Sequence, residues 1–88
     1  MELSTILRPG AVRVVASASS KKRLFQEIAD LAASAYGLDP DATLEALLDR
    51  ESLGPTGVGH GVALPHARMP AVDLVLGCFL LLEKPLDF

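Results

Sequence analysis

Gly54-Pro55-Thr56-Gly57-Val58-Gly59-His60-Gly61-Val62-Ala63-Leu64-Pro65-His66-Ala67-Arg68 is where the patterning of this 88-residue chain changes. Upstream the apolar residues recur at helical spacing, and downstream they run together as in a strand. Within the stretch, glycines alternate at 57, 59 and 61, Val62-Ala63-Leu64 forms a short apolar run, and Pro65 fixes the backbone immediately before His66. This pattern predicts a loop and a short strand, not a helix.

Immediately upstream, Asp39 and Pro40 open a helix. The Asp39 side chain can accept from orphan N–H groups, and proline at the first helical position gives up nothing by lacking its own. Leu44, Leu47 and Leu48 form its buried face, and Gly54-Pro55 stops it. Before it, Leu24, Phe25, Ile28, Leu31, Ala32, Ala35 and Tyr36 share a helical face between Ser19 or Ser20 as N-cap and Gly37 as C-cap. Nearer the N-terminus, Ala11–Ala16 alternates Val12, Val14 and Ala16 against Arg13 and Val15, which predicts a strand with one face buried. Leu3, Ile6 and Leu7 sit at helical spacing ahead of Pro9-Gly10 and predict one short helical turn. Beyond the loop, Val72–Leu82 is apolar on both alternating faces apart from Asp73, the pattern of a strand covered on both sides. Strand, helix, helix, strand, strand predicts an α/β domain with a mixed sheet flanked by helices.

Composition bounds the function. The length suffices for one small domain across residues 1–88. A hydrophobic content of 50% and a mean hydropathy of +0.37 are high for a chain that must also cover its own core. Apolar surface is therefore expected to be hidden in a homo-oligomer, or by protein beyond this stretch. The net charge of -3 argues against sequence-independent nucleic-acid binding, and the basic run Lys21-Lys22-Arg23 reads as a solvated helix face. A lone cysteine, Cys78, excludes an internal disulfide and fits a reducing compartment; inside an apolar run it reads as packing. The N-terminus lacks a basic segment followed by an apolar one, and Leu74–Leu82 is far shorter than the roughly 20 residues of a membrane span. A cytoplasmic protein without a membrane span is expected.

The chemistry concentrates in the glycine loop. Gly57, Gly59 and Gly61 could let main-chain N–H groups approach an anion without interference from Cβ. A dinucleotide fingerprint fails at Val62, where the third glycine belongs, and no Gly-Lys-Ser/Thr step completes a P-loop. His66 is a nitrogen nucleophile whose lone pair can attack phosphorus without a separate base. Phosphoryl transfer to it needs positioning and charge stabilisation, which backbone N–H groups, a hydroxyl and a guanidinium can supply without metal or cofactor. Arg50, Thr56 and Arg68 stand nearby in sequence. Taken alone, these residues also fit a histidine hydrogen-bonded within a proline turn and doing no chemistry. A His60/His66 metal pair finds no third ligand among the Cys, Asp and Glu residues, since the loop has none.

The segment from Arg50 through Thr56-Gly57 and Gly59-His60-Gly61 to Leu64-Pro65-His66-Ala67-Arg68 resembles the fructose/mannitol-type (type 2) IIA family of the phosphotransferase system. Ser19-Ser20-Lys21-Lys22 and Leu82-Glu83-Lys84-Pro85-Leu86-Asp87-Phe88 resemble the nitrogen-regulatory members. The resemblance implies the IIA mannitol/fructose-type fold and a phosphohistidine phosphotransferase. His66 would accept phosphate from an HPr-like phosphocarrier, Arg50 would help hold the phosphoryl group, and Thr56 with Gly57, Gly59 and Gly61 would form the phosphate-binding loop. It further implies either regulatory targets, such as a transporter or sensor kinase in nitrogen- or potassium-linked regulation, or a IIB domain in sugar transport. His60 stands where the family commonly has Asn or a small residue, so no role carries over to it. The family domain continues beyond the position matching Phe88, with further strands, helices and a second active-site histidine. The chain is accordingly expected to be the N-terminal portion of the domain, catalytically incomplete as a binding module if it acts alone, and either oligomeric or marginally stable.

Several residues keep two readings. Arg50 near a helix C-terminus could simply complement the macrodipole, a stabilisation of about 0.3–1 kcal/mol. Thr56 caps a turn or contacts phosphate, Arg68 faces solvent or belongs to the site, and His60 lies on the loop rim or touches phosphate.

Overall fold

Ser20 is extended (φ -162°), and its hydroxyl accepts from the Arg23 N–H at 3.1 Å, opening helix α1 over Lys21–Tyr36. Gly37 closes that helix in the left-handed conformation (φ 73°), its N–H bonded to Ala33 O at 2.9 Å. Asp39 caps helix α2, Pro40–Leu53, with Pro40 in the first turn and Gly54 at the end. Both helices thus begin and end where their capping residues predict. The computed structural model describes residues 6–70, 72 and 74–88. Around these helices lie strands β1 (Leu7–Val15), β2 (Gly57–Gly59), β3 (Val62–Ala63) and β4 (Gly77–Leu82).

β1 and β4 pair in parallel, with the two helices in the connection between them, while β2 and β3 form a separate antiparallel pair. The α/β class holds, with parallel and antiparallel pairs in two small sheets. β1 begins at Leu7, not at Ala11, and so includes Pro9-Gly10; Leu3 of the expected helical turn lies outside the described residues. Proline is tolerated because the register shifts between Leu7, opposite Gly77, and Val12, opposite Phe79. Within that irregularity its missing N–H interrupts no ladder bond. The Tyr36 hydroxyl closes the same gap: it accepts from the Arg8 N–H at 3.2 Å and lies 2.9 Å from Ile6 O and 2.6 Å from Gly77 O.

The face expected to be buried on β1 is the open one. Ala11, Arg13 and Val15 lie on the face covered by α1, whereas Val12 and Val14 are 52% and 60% exposed. Arg13 is tolerated on the covered face because Glu27 of α1 pairs with it at 3.5 Å. The second correction concerns β4, which starts at Gly77 instead of Val72 and is covered on one face only. Leu80 and Leu82 pack against the core formed by Leu24, Phe25 and Leu47, while Phe79 and Leu81 are about half exposed. Register places Val12 beside Phe79 and Val14 beside Leu81, so the uncovered residues form one continuous apolar face. Phe88 completes the core from the other end of the chain, edge-on to Phe25 with ring centroids 5.9 Å apart.

Candidate functional site

The glycine loop folds as a β-hairpin. Gly57 lies opposite Ala63 and Gly59 opposite Val62, leaving His60-Gly61 as a two-residue turn. Both turn residues have positive φ, 57° and 74°, as a type I′ connection requires. Histidine, with Asn and Asp, is among the non-glycine residues enriched in the left-handed region, so His60 occupies the turn with limited strain. His60 is exposed on the hairpin tip.

At the hairpin base the Leu64 N–H donates to Thr56 O at 3.0 Å, and Pro65 then delivers His66. The imidazole folds back on its own turn: Nδ1 lies 2.9 Å from Leu64 O. A carbonyl oxygen can only accept, so Nδ1 carries the proton and, in the neutral ring, Nε2 carries the lone pair. His66 is exposed, and it lines, together with Arg68, a hollow of about 840 Å³ between the helices and the Pro65–Pro70 segment. Cys78 lines the same hollow. Burial pushes its thiol above the ordinary value, against a smaller opposing effect of the Arg13 charge, so it is a poor source of thiolate.

Arg50 and Thr56 stand apart from that hollow. The Arg50 guanidinium donates from Nη1 to Gly54 O at 3.0 Å, closing the C-terminus of α2. Thr56 is 6% exposed, and its hydroxyl donates to Glu51 Oε1 at 2.6 Å. The Thr56 N–H also points at that carboxylate, 3.2 Å from each oxygen, and Lys21 Nζ donates to Oε2 at 3.1 Å. Burial alone would push the Glu51 carboxyl up; the hydrogen bonds from Thr56 and Lys21, with the lysine charge, bring it below its ordinary value. Lys21 also sits 4.4 Å from the centroid of the Phe88 ring, so it is no free solvated charge.

Sequence reasoning assigns Glu51 no role and reads Lys21 as part of a solvated helix face, where the structure pairs the two. One local signal marked the first: Glu51 is an acid in the last turn of a helix, where the macrodipole disfavours it. A residue that breaks a local rule in this way has a tertiary partner or a function to justify it.

Comparisons with known proteins bear on the family and the fold. Residues 5–88 match the family model described as phosphoenolpyruvate-dependent sugar phosphotransferase system, EIIA 2. A nitrogen regulatory protein of Bradyrhizobium diazoefficiens is 40% identical over 88 residues, covering all of this chain and 58% of its own length. That of Escherichia coli K12 is 38% identical over 89 residues, again across the whole chain and 55% of the relative. The crystal structure of nitrogen regulatory protein IIA-Ntr from Neisseria meningitidis superposes with a TM-score of 0.84 at 36% identity, over 94% of this chain and 57% of that one. The chain therefore spans little more than half the length of these relatives. By its sequence, its fold and the match along nearly its whole length, the chain belongs to the type 2 EIIA family of the phosphotransferase system.

Proposed function

We propose that this chain is a phosphorelay component in which His66 accepts a phosphoryl group at Nε2 from an HPr-like phosphocarrier. The carrying observation is the 2.9 Å bond from Nδ1 to Leu64 O on an exposed ring, which leaves the Nε2 lone pair as the nucleophile. That lone pair attacks the phosphorus of the donor's phosphohistidine. The new N–P bond forms as the donor's N–P bond breaks, and the electron pair leaves with the donor imidazole. His66 keeps its Nδ1 proton throughout, and the positive charge gained by the ring strengthens its bond to the Leu64 carbonyl. The equatorial oxygens are assigned to the Arg50 guanidinium, which has donors beyond the one closing α2, and to the backbone N–H groups of Gly57, Gly59 and Gly61. Thr56 supports that loop from its base, and Arg68 and His60 lie on its rim. No metal or nucleotide takes part in the transfer.

The relatives described above are nitrogen regulatory proteins, which favours a regulatory over a sugar-transport role. In this role the phosphorylation state of His66 switches binding to cytoplasmic faces of regulatory targets, such as a transporter or sensor kinase, and no IIB domain is fed. Incubation with the phosphorylated donor should place an acid-labile, alkali-stable label on the wild type and none on His66→Ala. Equal labelling of the two chains, or none on the wild type, refutes the assignment.

A further inference from the structure

The β2–β3 hairpin is too slight to hold its own geometry. Its strands are three and two residues long, and glycine occupies both ends of β2. Such short pairs are marginal in isolation, and glycine adds to the entropy that must be lost in ordering them. Yet the hairpin base carries the carbonyl that fixes the His66 ring. What anchors it is a relay that begins outside the hairpin. The Glu51 carboxylate receives the Thr56 hydroxyl at 2.6 Å and the Thr56 N–H at 3.2 Å. Thr56 O receives the Leu64 N–H at 3.0 Å, and Leu64 O lies 2.9 Å from His66 Nδ1. Glu51 is itself held by Lys21 at 3.1 Å, and Phe88 backs both Lys21 and Gly57, where a Cβ would lie 3.5 Å from the Phe88 ring.

We propose that Glu51 is a positioning residue for His66: its carboxylate fixes Thr56, Thr56 fixes the Leu64 carbonyl, and that carbonyl keeps the imidazole proton on Nδ1. The relay sets which nitrogen is nucleophilic without Glu51 touching the reacting atoms. The coupling is mechanical: the N–H and C=O of Thr56, and those of Leu64, belong to different peptide planes, so each bond acts by fixing where the next carbonyl points. The value of this tautomer to phosphoryl transfer rests on the assignment of His66 as acceptor, but the tautomer itself does not.

Nitrogen-15 NMR of the imidazole in the full chain, without any phosphate donor, reads the tautomer directly. The wild type should show one Nδ1–H form, and Glu51→Gln a mixture moving toward that of free imidazole. Transfer from the phosphorylated donor should slow about tenfold in Glu51→Gln, the size typical when a partner that orients a functional histidine is removed. Thr56→Val loses the hydroxyl that Glu51 accepts from but keeps the N–H, and should fall between. A folded Glu51→Gln chain that retains the single Nδ1–H form overturns the proposal. Should Glu51→Gln fail to fold, an unchanged tautomer in Thr56→Val overturns it instead. A wild-type chain that takes no label sinks the phosphoacceptor assignment and leaves the tautomer result standing, so the two failures are distinguishable.

Discussion

At Glu51, burial and hydrogen bonding pull in opposite directions, and bonding prevails. Its ordinary value near 4.5 is lowered in the folded chain, so as pH falls the unfolded chain takes up the proton first. The stabilisation from this carboxylate is therefore complete above its unfolded value and is lost as pH drops from about 4.5 through the folded one. Denaturation curves of wild type and Glu51→Gln should differ at neutral pH and converge on acidification. A difference that stays constant down to about pH 3 would show that the charge plays no part. This residue also marks where sequence reading ran out. The turn ahead of His66 was legible because proline and glycine act on the backbone within a few positions of one another. Thr56 looked equally like a cap and a phosphate ligand, because its hydroxyl proton is claimed by a residue on another element, and nothing in the local spacing says so. Glu51 announced itself only by standing against a helix dipole.

Among the elements, the helices were legible and the strand faces were not, for a physical reason. Caps are local: Ser20, Gly37, Asp39 and Pro40 each act on backbone within one turn, so their residue types suffice. Which side of a strand is buried depends instead on what packs against it. Val12 and Val14 look like core in isolation, but α1 covers the side bearing Arg13 and Val15, and Glu27 makes Arg13 acceptable there. The consequence is an asymmetry along β4 between neighbouring leucines. Leu80 packs on the Phe25 cluster, whereas Leu81 is 52% exposed. Leu80→Ala should destabilise by about 2–4 kcal/mol, through lost burial and the cavity left behind. Leu81→Ala should cost about 1 kcal/mol or less, since little area returns to water. Chemical denaturation of the two variants decides the matter, and equal losses would mean that the open face is covered in solution.

For the whole molecule, that open face sets the behaviour of the 88-residue chain. Val12, Val14, Phe79 and Leu81 lie side by side at 52–60% exposure on a sheet that, among the described residues, has two strands, each of which is also an edge. Apolar side chains scattered singly on a surface are ordinary, but four in register across two unpaired edges favour strand addition and face-to-face packing. The stability of a domain this size is about 4–13 kcal/mol, from roughly 0.05–0.15 kcal/mol per residue, so burying even part of the face weighs in the balance. A second copy presents the same face, and its own edges can extend the sheet, so the expected occupant is another copy of this chain. Association linked to folding makes the melting temperature rise with protein concentration. Sedimentation should then show mass increasing with concentration, and Val14→Lys with Leu81→Lys should abolish both effects while the helical circular dichroism remains, because neither residue packs on the core. A wild-type chain that sediments as a monomer at every concentration, with a sharp and concentration-independent melting transition, would show that the two-stranded sheet is stable with this face bare.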